Sequence, residues 1–386
     1  MGDSEAVTLR LLGRMADVAA ADWNACAGST NPFLSHAFLD ALEQSGSATA
    51  KTGWAPHHLV LDGPDGKPAG CVPMYLKNHS YGEYVFDHSW AQAYEHAGGR
   101  YYPKLQIAVP FTPVPGPRFL LRPGVPREPT MRTLLAGCLE VARQTKVSSL
   151  HITFCTDEEC AFFAANGLLR RTGEQFHWEN RGYKTFGDFL NDLNARKRKS
   201  VNKERREATT DGIEIETLSG SALNDAHWDA MYGFYMDTGS RKWGSPYLNR
   251  DFFRRLGATM ADNVVLFLAK RGGRYIAGAL NLVGADTIYG RYWGCSEDHR
   301  FLHFELCYYR AIEYAIDHGL ARVEAGAQGP HKLARGYLPK PTNSAHWIRD
   351  ASFREAVADY LVRERAQVLT DIERLDSYSP FRHEPD

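Results

Sequence analysis

The chain predicts two mixed α/β domains in tandem, of the α+β kind, each built on a mixed, largely antiparallel sheet. Three observations carry that expectation. A strand hairpin occurs twice, an amphipathic helix occurs twice at the matching place, and a closing strand with a His-Trp pair occurs twice. Residues 57–76, HHLVLDGPDGKPAGCVPMYL, read as strand, tight Gly/Pro turn and strand. Residues 264–283, VVLFLAKRGGRYIAGALNLV, read the same way around Arg271-Gly272-Gly273. Ala69-Gly70 and Ala277-Gly278 occupy the same place in the two second strands.

An aromatic strand follows each hairpin, YGEYVFD at 81–87 and IYGRYWG at 288–294. The first helix, 131–146, puts Leu134, Leu135, Cys138, Leu139 and Ala142 on one face. The second, 304–319, does so with Leu306, Tyr309, Ile312 and Ile316, and Gly319 stands where a helix stop is expected. Strands 148–155 and 320–326 come next, and the halves close on His177-Trp178 and His346-Trp347. The sequence therefore reads as a domain over 1–185 and a second over 186–386. The first carries an insert at about 88–127, rich in aromatics and proline, of a length that suits an ordered binding loop. The second opens on a basic linker helix at about 187–210 and ends on a long helix with Phe353, Val357, Tyr360, Leu361 and Val368 on one side.

Composition narrows the function. A net charge of -1 excludes a globally basic nucleic-acid or lipid binder, so any basic surface is local, as in RKRKSVNKERRE. Seven scattered cysteines without a CxxC pair argue for free thiols and against a disulfide framework or zinc ribbon. No HxH or HxxxH pattern accompanies His79, Asp87 and His88, so no metal is expected. No run of eighteen apolar residues crosses a membrane, and the first residues do not read as a signal peptide, which predicts a cytoplasmic protein.

One stretch stands apart, EAGAQGPHKLARGYLP at 324–339. It sets a carboxylate, an amide, an imidazole, an ammonium and a guanidinium at a strand end, whereas its first-half counterpart, TFCTDEECAFFAANGLLR, is chemically plain. Glu324, His331 and Lys332 are the candidate catalytic residues, with Glu324 or His331 as base. Gln328 and Arg335 are candidate substrate contacts, Arg335 or Lys332 holding phosphate or carboxylate. On an alternating strand Glu83 and Asp87 share a face and can bind a cationic amine. Lys242 and Trp243 suit an anionic or ring-bearing group. Arg291, central in its strand, needs an anion, from a ligand or from the protein.

Four stretches, residues 79–114, 236–253, YGRYWGC and EAGAQGPHKLARGYLP, resemble the FemAB-like family often labelled for peptidoglycan biosynthesis or recognition. The element order resembles a GNAT (acyl-CoA N-acyltransferase-like) fold in two copies. The resemblance implies transfer of an activated acyl or aminoacyl group to a small-molecule or peptide amine. The donor would be a co-substrate, aminoacyl-tRNA or an acyl thioester on acyl-carrier protein or CoA, with no tightly bound cofactor. GNAT enzymes that use acetyl-CoA carry a Gly-rich loop before the long helix. Here that position reads CSEDHRFLHFELCYY, with no glycine between Cys295 and Tyr309, which points to another donor or another cradle. The alternatives are a non-catalytic binder of a cell-wall precursor or basic peptide, and RNA contact through the basic helix.

Overall fold

A computed structural model describes residues 8–242, 246–326 and 329–382. It divides into two units, Met1–Gly173 with Thr342–Leu369, and Glu174–Pro341 with Thr370–Asp386. The division is not sequential, because the last strand of each sequence half contributes to the other half's unit.

In the first unit β1 (Leu9–Leu12), β3 (His58–Asp62), β4 (Pro68–Val72) and β7 (Leu120–Leu121) form one sheet in the order β1-β3-β4-β7. β2 (Trp54–Pro56), β5 (Met74–Lys77), β6 (Lys104–Ile107) and β8 (Ser149–Cys155) form another, in the order β8-β6-β5-β2. The predicted hairpin is present as β3 and β4, but its second strand is cut at Pro73. Beyond that proline, which has no N–H to give a ladder, β5 pairs with β2 and β6 instead. The helix Arg127–Gln144 buries Met131, Leu134, Leu135, Cys138 and Ala142 in one core with Leu59, Val72, Leu105 and Leu150. Burial of each such side chain stabilises by about 1.5–3 kcal/mol.

In the second unit β10 (Ile213–Ser219), β11 (Val264–Arg271), β12 (Arg274–Val283), β13 (Thr287–Cys295) and β14 (Arg322–Glu324) follow in that order. The β11–β12 hairpin turns at Gly272 and Gly273, both at positive φ (55° and 79°), which only glycine adopts freely and which matches the strand twist. The second amphipathic helix runs from Leu302–Phe304 through a π-helical turn, Glu305–Tyr309, into Arg310–Asp317. It buries Leu306, Tyr309, Ile312 and Ile316 with Phe267, Ala277, Ile288 and Val323.

The closing strands are β9 (Leu169–Glu179) and β15 (Leu338–Ile348). The end of β9, His177 and Trp178, pairs with β14 in the second unit, and the end of β15, Ser344 to Ile348, pairs with β8 in the first. Each half thus supplies the final strand of the other unit's sheet.

Three expectations are corrected. Residues 81–87 are not a strand but a loop, with Tyr84 at a φ of 59°. The insert at about 88–127 is not one loop: it holds the helix His88–His96, the central strand β6 and β7. The linker helix is two helices, Phe186–Asp192 and Ala195–Ala208. The side chain of Asn194 accepts from Lys197 N and starts the second one afresh.

Candidate active site

The site grows out of a strand pair whose ladder stops early. β13 and β14 are parallel and paired only from Thr287↔Arg322 to Tyr289↔Glu324, while β13 continues to Cys295. Where β14 ends, the peptide groups of β13 beyond Tyr289 lose that neighbour and can turn to other partners. Glu324 stands at this divergence, opposite His177 of β9 on its other side.

Glu324 is 5% exposed, and its Oε2 has no hydrogen-bond partner among the described residues. The nearest cation is Arg322 Nη1, 3.7 Å from Oε1, and Arg322 itself is half exposed. Burial pushes the carboxyl up to about 7, and the charges of Arg322 and Arg291 only partly offset it. His177, also buried, is pushed down to about 3 by burial, so it is a neutral neighbour. Glu324 is therefore a carboxyl group with one oxygen unpartnered among the described residues, raised to about 7.

From Glu324 the chain leaves the sheet through Gly326 and returns by a 3-10 turn, Pro330–Arg335. Lys332 is buried and donates from Nζ to Gly326 O at 2.9 Å, which ties the turn back to the strand end. Burial lowers its ammonium to about 8, and Arg291 acts in the same direction. His331 is exposed, with Nε2 2.8 Å from Tyr308 OH. Tyr308 comes from the π-helical turn, a local widening frequent at functional sites.

Arg335 is committed to the protein. Its Nη2 donates to Glu204 Oε2 at 2.9 Å, its Nη1 to His331 O at 2.7 Å, and its guanidinium lies 3.4 Å from the centre of the Phe304 ring. Glu204 also accepts from Tyr309 OH. Part of the basic helix is likewise structural, since Arg205 pairs with Glu305 and Glu313 at 3.0 Å each. Arg196, Lys199, Lys203 and Arg206 remain on its exposed side.

The structure thus places His331, Lys332 and Arg335 on one turn, and Arg291 acts through its charge on both Glu324 and Lys332. Gln328 and Trp243 lie outside the described residues, as does the side chain of Lys242. Glu83 and Asp87 belong to the first unit and do not line an open strand face. Both are buried, and Lys104 Nζ donates to Glu83 at 2.7 Å and to Asp87 at 2.5 Å. The cation they hold is the protein's own. Among the described residues no group of three His, Cys, Asp or Glu side chains is placed to hold a metal, and no helix is long and apolar enough to cross a membrane.

Sequence reasoning missed His177, Tyr308 and Arg322. Arg322 was within reach, because it lies two residues before Glu324 on the same face of the strand. Tyr308 was not, because a π turn changes which residues of a helix face a neighbour.

The same fold is found in solved structures of low sequence identity. FemX is 13% identical over 88% of this chain and 98% of its own, with a TM-score of 0.57. The C-terminal domain (DUF2156) of a putative lysylphosphatidylglycerol synthetase from Agrobacterium fabrum is 10% identical over 89% and 96%, with a TM-score of 0.52. L-PGS from Bacillus licheniformis is 10% identical over 86% and 98%, with a TM-score of 0.50. The architecture is the tandem, mixed α/β one shared with FemX. The chain belongs to the FemAB-like family, described as peptidoglycan biosynthesis/recognition, whose model matches residues 14–383. No curated protein matches the chain. Family and fold together support a transferase in cell-wall synthesis.

Proposed function

We propose that the protein is an N-acyltransferase that joins an activated acyl or aminoacyl group to an amine, with Glu324 as general base. The observation that carries this reading is the bare, buried carboxylate oxygen of Glu324 at the divergence of β13 and β14, on a group raised to about 7. A base with that value is half ionised at neutral pH and still strong enough to take an amine proton.

In the proposed step the acceptor nitrogen attacks the acyl carbonyl and the new N–C bond forms. The nitrogen's proton passes to Glu324, and the C–O bond of an aminoacyl ester or the C–S bond of a thioester breaks. Lys332, an ammonium close to its own titration, supplies positive charge to the developing oxyanion or a proton to the leaving group. Arg335, bonded to Glu204 and to His331 O, positions the turn. Holding donor and acceptor together supplies much of the remaining rate, up to roughly 7–11 kcal/mol in favourable models. The reading places the protein in the cytoplasm, where such donors are made, with a small-molecule or peptide amine from cell-wall metabolism as acceptor.

The test is transfer of labelled acyl groups from aminoacyl-tRNA, acyl-carrier protein and acyl-CoA to a panel of amines that includes cell-wall precursors. Turnover with one donor is expected. Absence of turnover with all three, in a preparation that is folded, removes the transferase reading and leaves a binding protein.

A further inference from the structure

The loop Asn78–Asp87, with residues 81–87 expected as a strand, is held from below and is aromatic above. Its inward residues are Ser80, Glu83 and Asp87, all buried. Lys104 Nζ donates to all three, at 2.8, 2.7 and 2.5 Å. Lys77, also buried, donates to Tyr81 O at 2.9 Å, and Arg171 donates to Phe86 O at 2.7 Å. Two lysines with no exposure at all are a costly way to fix a loop unless its position matters.

What the loop presents outward is a row of rings. Tyr81 is 61% and Phe86 52% exposed, far more than large aromatics need be in a folded chain. The exposed His88 stands between them, 6.0 Å from the Tyr81 ring and 6.3 Å from the Phe86 ring, stacked on the latter at 28°. His79 continues the row, 5.2 Å from Tyr81. A contiguous, exposed and preorganised aromatic surface marks a binding site.

We propose that the row Tyr81–His88–Phe86 is a carbohydrate-binding platform of the first unit, taking the pyranose rings of a glycan. A sugar ring has an apolar C–H face that lies on an aromatic ring and a rim of hydroxyls. Imidazole nitrogens and the tyrosine hydroxyl can meet those hydroxyls. The surroundings speak against the other users of aromatic rows. Single-stranded nucleic acid needs cations along its backbone. Here Lys77 and Lys104 are buried beneath the loop, and Arg171 is engaged with Glu364 at 2.7 Å. An apolar peptide wants an aliphatic surface, whereas the exposed residues near the rings, Asn78 and Ser89, are polar and the aliphatic Val85 beside Phe86 is half-buried. The platform does not depend on the transferase reading, because binding is measured without any acyl donor.

The experiment titrates an N-acetylglucosamine tetramer into the full chain, followed by calorimetry and by saturation-transfer NMR. The wild type is expected to bind, with Tyr81→Ala and Phe86→Ala each weakening binding about tenfold, a stacked ring being worth roughly one such factor. The double variant should lose binding with an unchanged melting temperature, since both side chains are largely in solvent. Failure of the wild type to bind the tetramer, or unchanged binding by the double variant, overturns the proposal. So does loss of binding to a homopolymeric single-stranded RNA or to an apolar peptide, but not to the sugar, in the same variants.

Discussion

Both units contain a parallel strand pair that ends early, and the two ends differ in what fills them. In the first unit β6 and β8 pair from Leu105↔Leu150 to Ile107↔Ile152. Beyond that point the chain's own residues close the gap. Arg118, with no exposure, donates to Thr153 O at 2.8 Å, Val114 O at 2.6 Å and Gly116 O at 3.0 Å. Glu159 accepts from the backbone N–H groups of Arg118 and Phe119 at 2.8 Å each. In the second unit the corresponding end carries Glu324, with an oxygen unmatched among the described residues, and is followed by Lys332, whose ammonium burial lowers to about 8. One topology has been used once as a sealed joint and once as a place where charge stays available. The lesson is that the repeat supplies the scaffold, and the groups left unanswered at its ladder end mark where chemistry belongs.

The largest expected effect breaks the open end. Glu324→Gln keeps the shape and removes the base, so the rate of transfer should fall by about 10²–10⁴-fold. Wild-type kcat/KM should rise with pH through about 7, the value to which burial raises the carboxyl, and that limb should vanish in the variant. Equal rates for both proteins across pH 5–9 would remove Glu324 from the chemistry.

The sealed end should answer through stability. Arg118→Met leaves the buried carbonyls of Val114 and Thr153 and the half-buried ones of Gly116 and Pro117 without their donor and removes the positive charge beside Glu159, a loss of about 3–5 kcal/mol in the unfolding free energy measured in urea. The transfer rate per folded molecule should not change. If it drops as it does in Glu324→Gln, the two ends are not distinct in use.

A smaller, pH-dependent effect compares stability at the open end. The folded carboxyl of Glu324 is raised from 4.5 to about 7, so the folded state binds its proton more tightly than the unfolded chain does. This contribution to stability is complete below about pH 4.5 and is lost as pH rises through 7, a change on the order of 3 kcal/mol. Glu324→Gln lacks the loss, and should be more stable than wild type at pH 8 and no more stable at pH 4. Parallel stability curves would mean that the carboxyl is not raised.

The hairpin at 264–283, both helix faces and the polar turn after Glu324 were legible because each is written in adjacent residues. Residues 81–87 show where periodicity stops. Alternation correctly put Glu83 and Asp87 on one side and Phe86 on the other, but it does not say which side is inward. Here the carboxylates are inside, because Lys77 and Lys104 wait there, and the phenylalanine is outside. The role of Arg335 was equally hidden. Its partner Glu204 stands 131 residues earlier, in a helix dominated by lysine and arginine.

The smallest expected effect concerns the second candidate base. His331 is exposed, and its Nε2 is occupied by Tyr308 OH at 2.8 Å. Phe304 flanks it, with ring centres 5.9 Å apart. A histidine so placed orders the turn that carries Lys332, and an exposed hydrogen bond of this kind is worth about 0.5–1.5 kcal/mol. His331→Ala should therefore lower the rate by no more than about tenfold, mainly through KM, without altering the limb near pH 7. Tyr308→Phe should match it, and the double variant should be no worse than either alone, since the two groups act through one bond. A loss in His331→Ala as deep as that of Glu324→Gln, with the limb gone, would transfer the role of base to the imidazole. The open ladder end would then serve to place His331 and not to hold the proton itself.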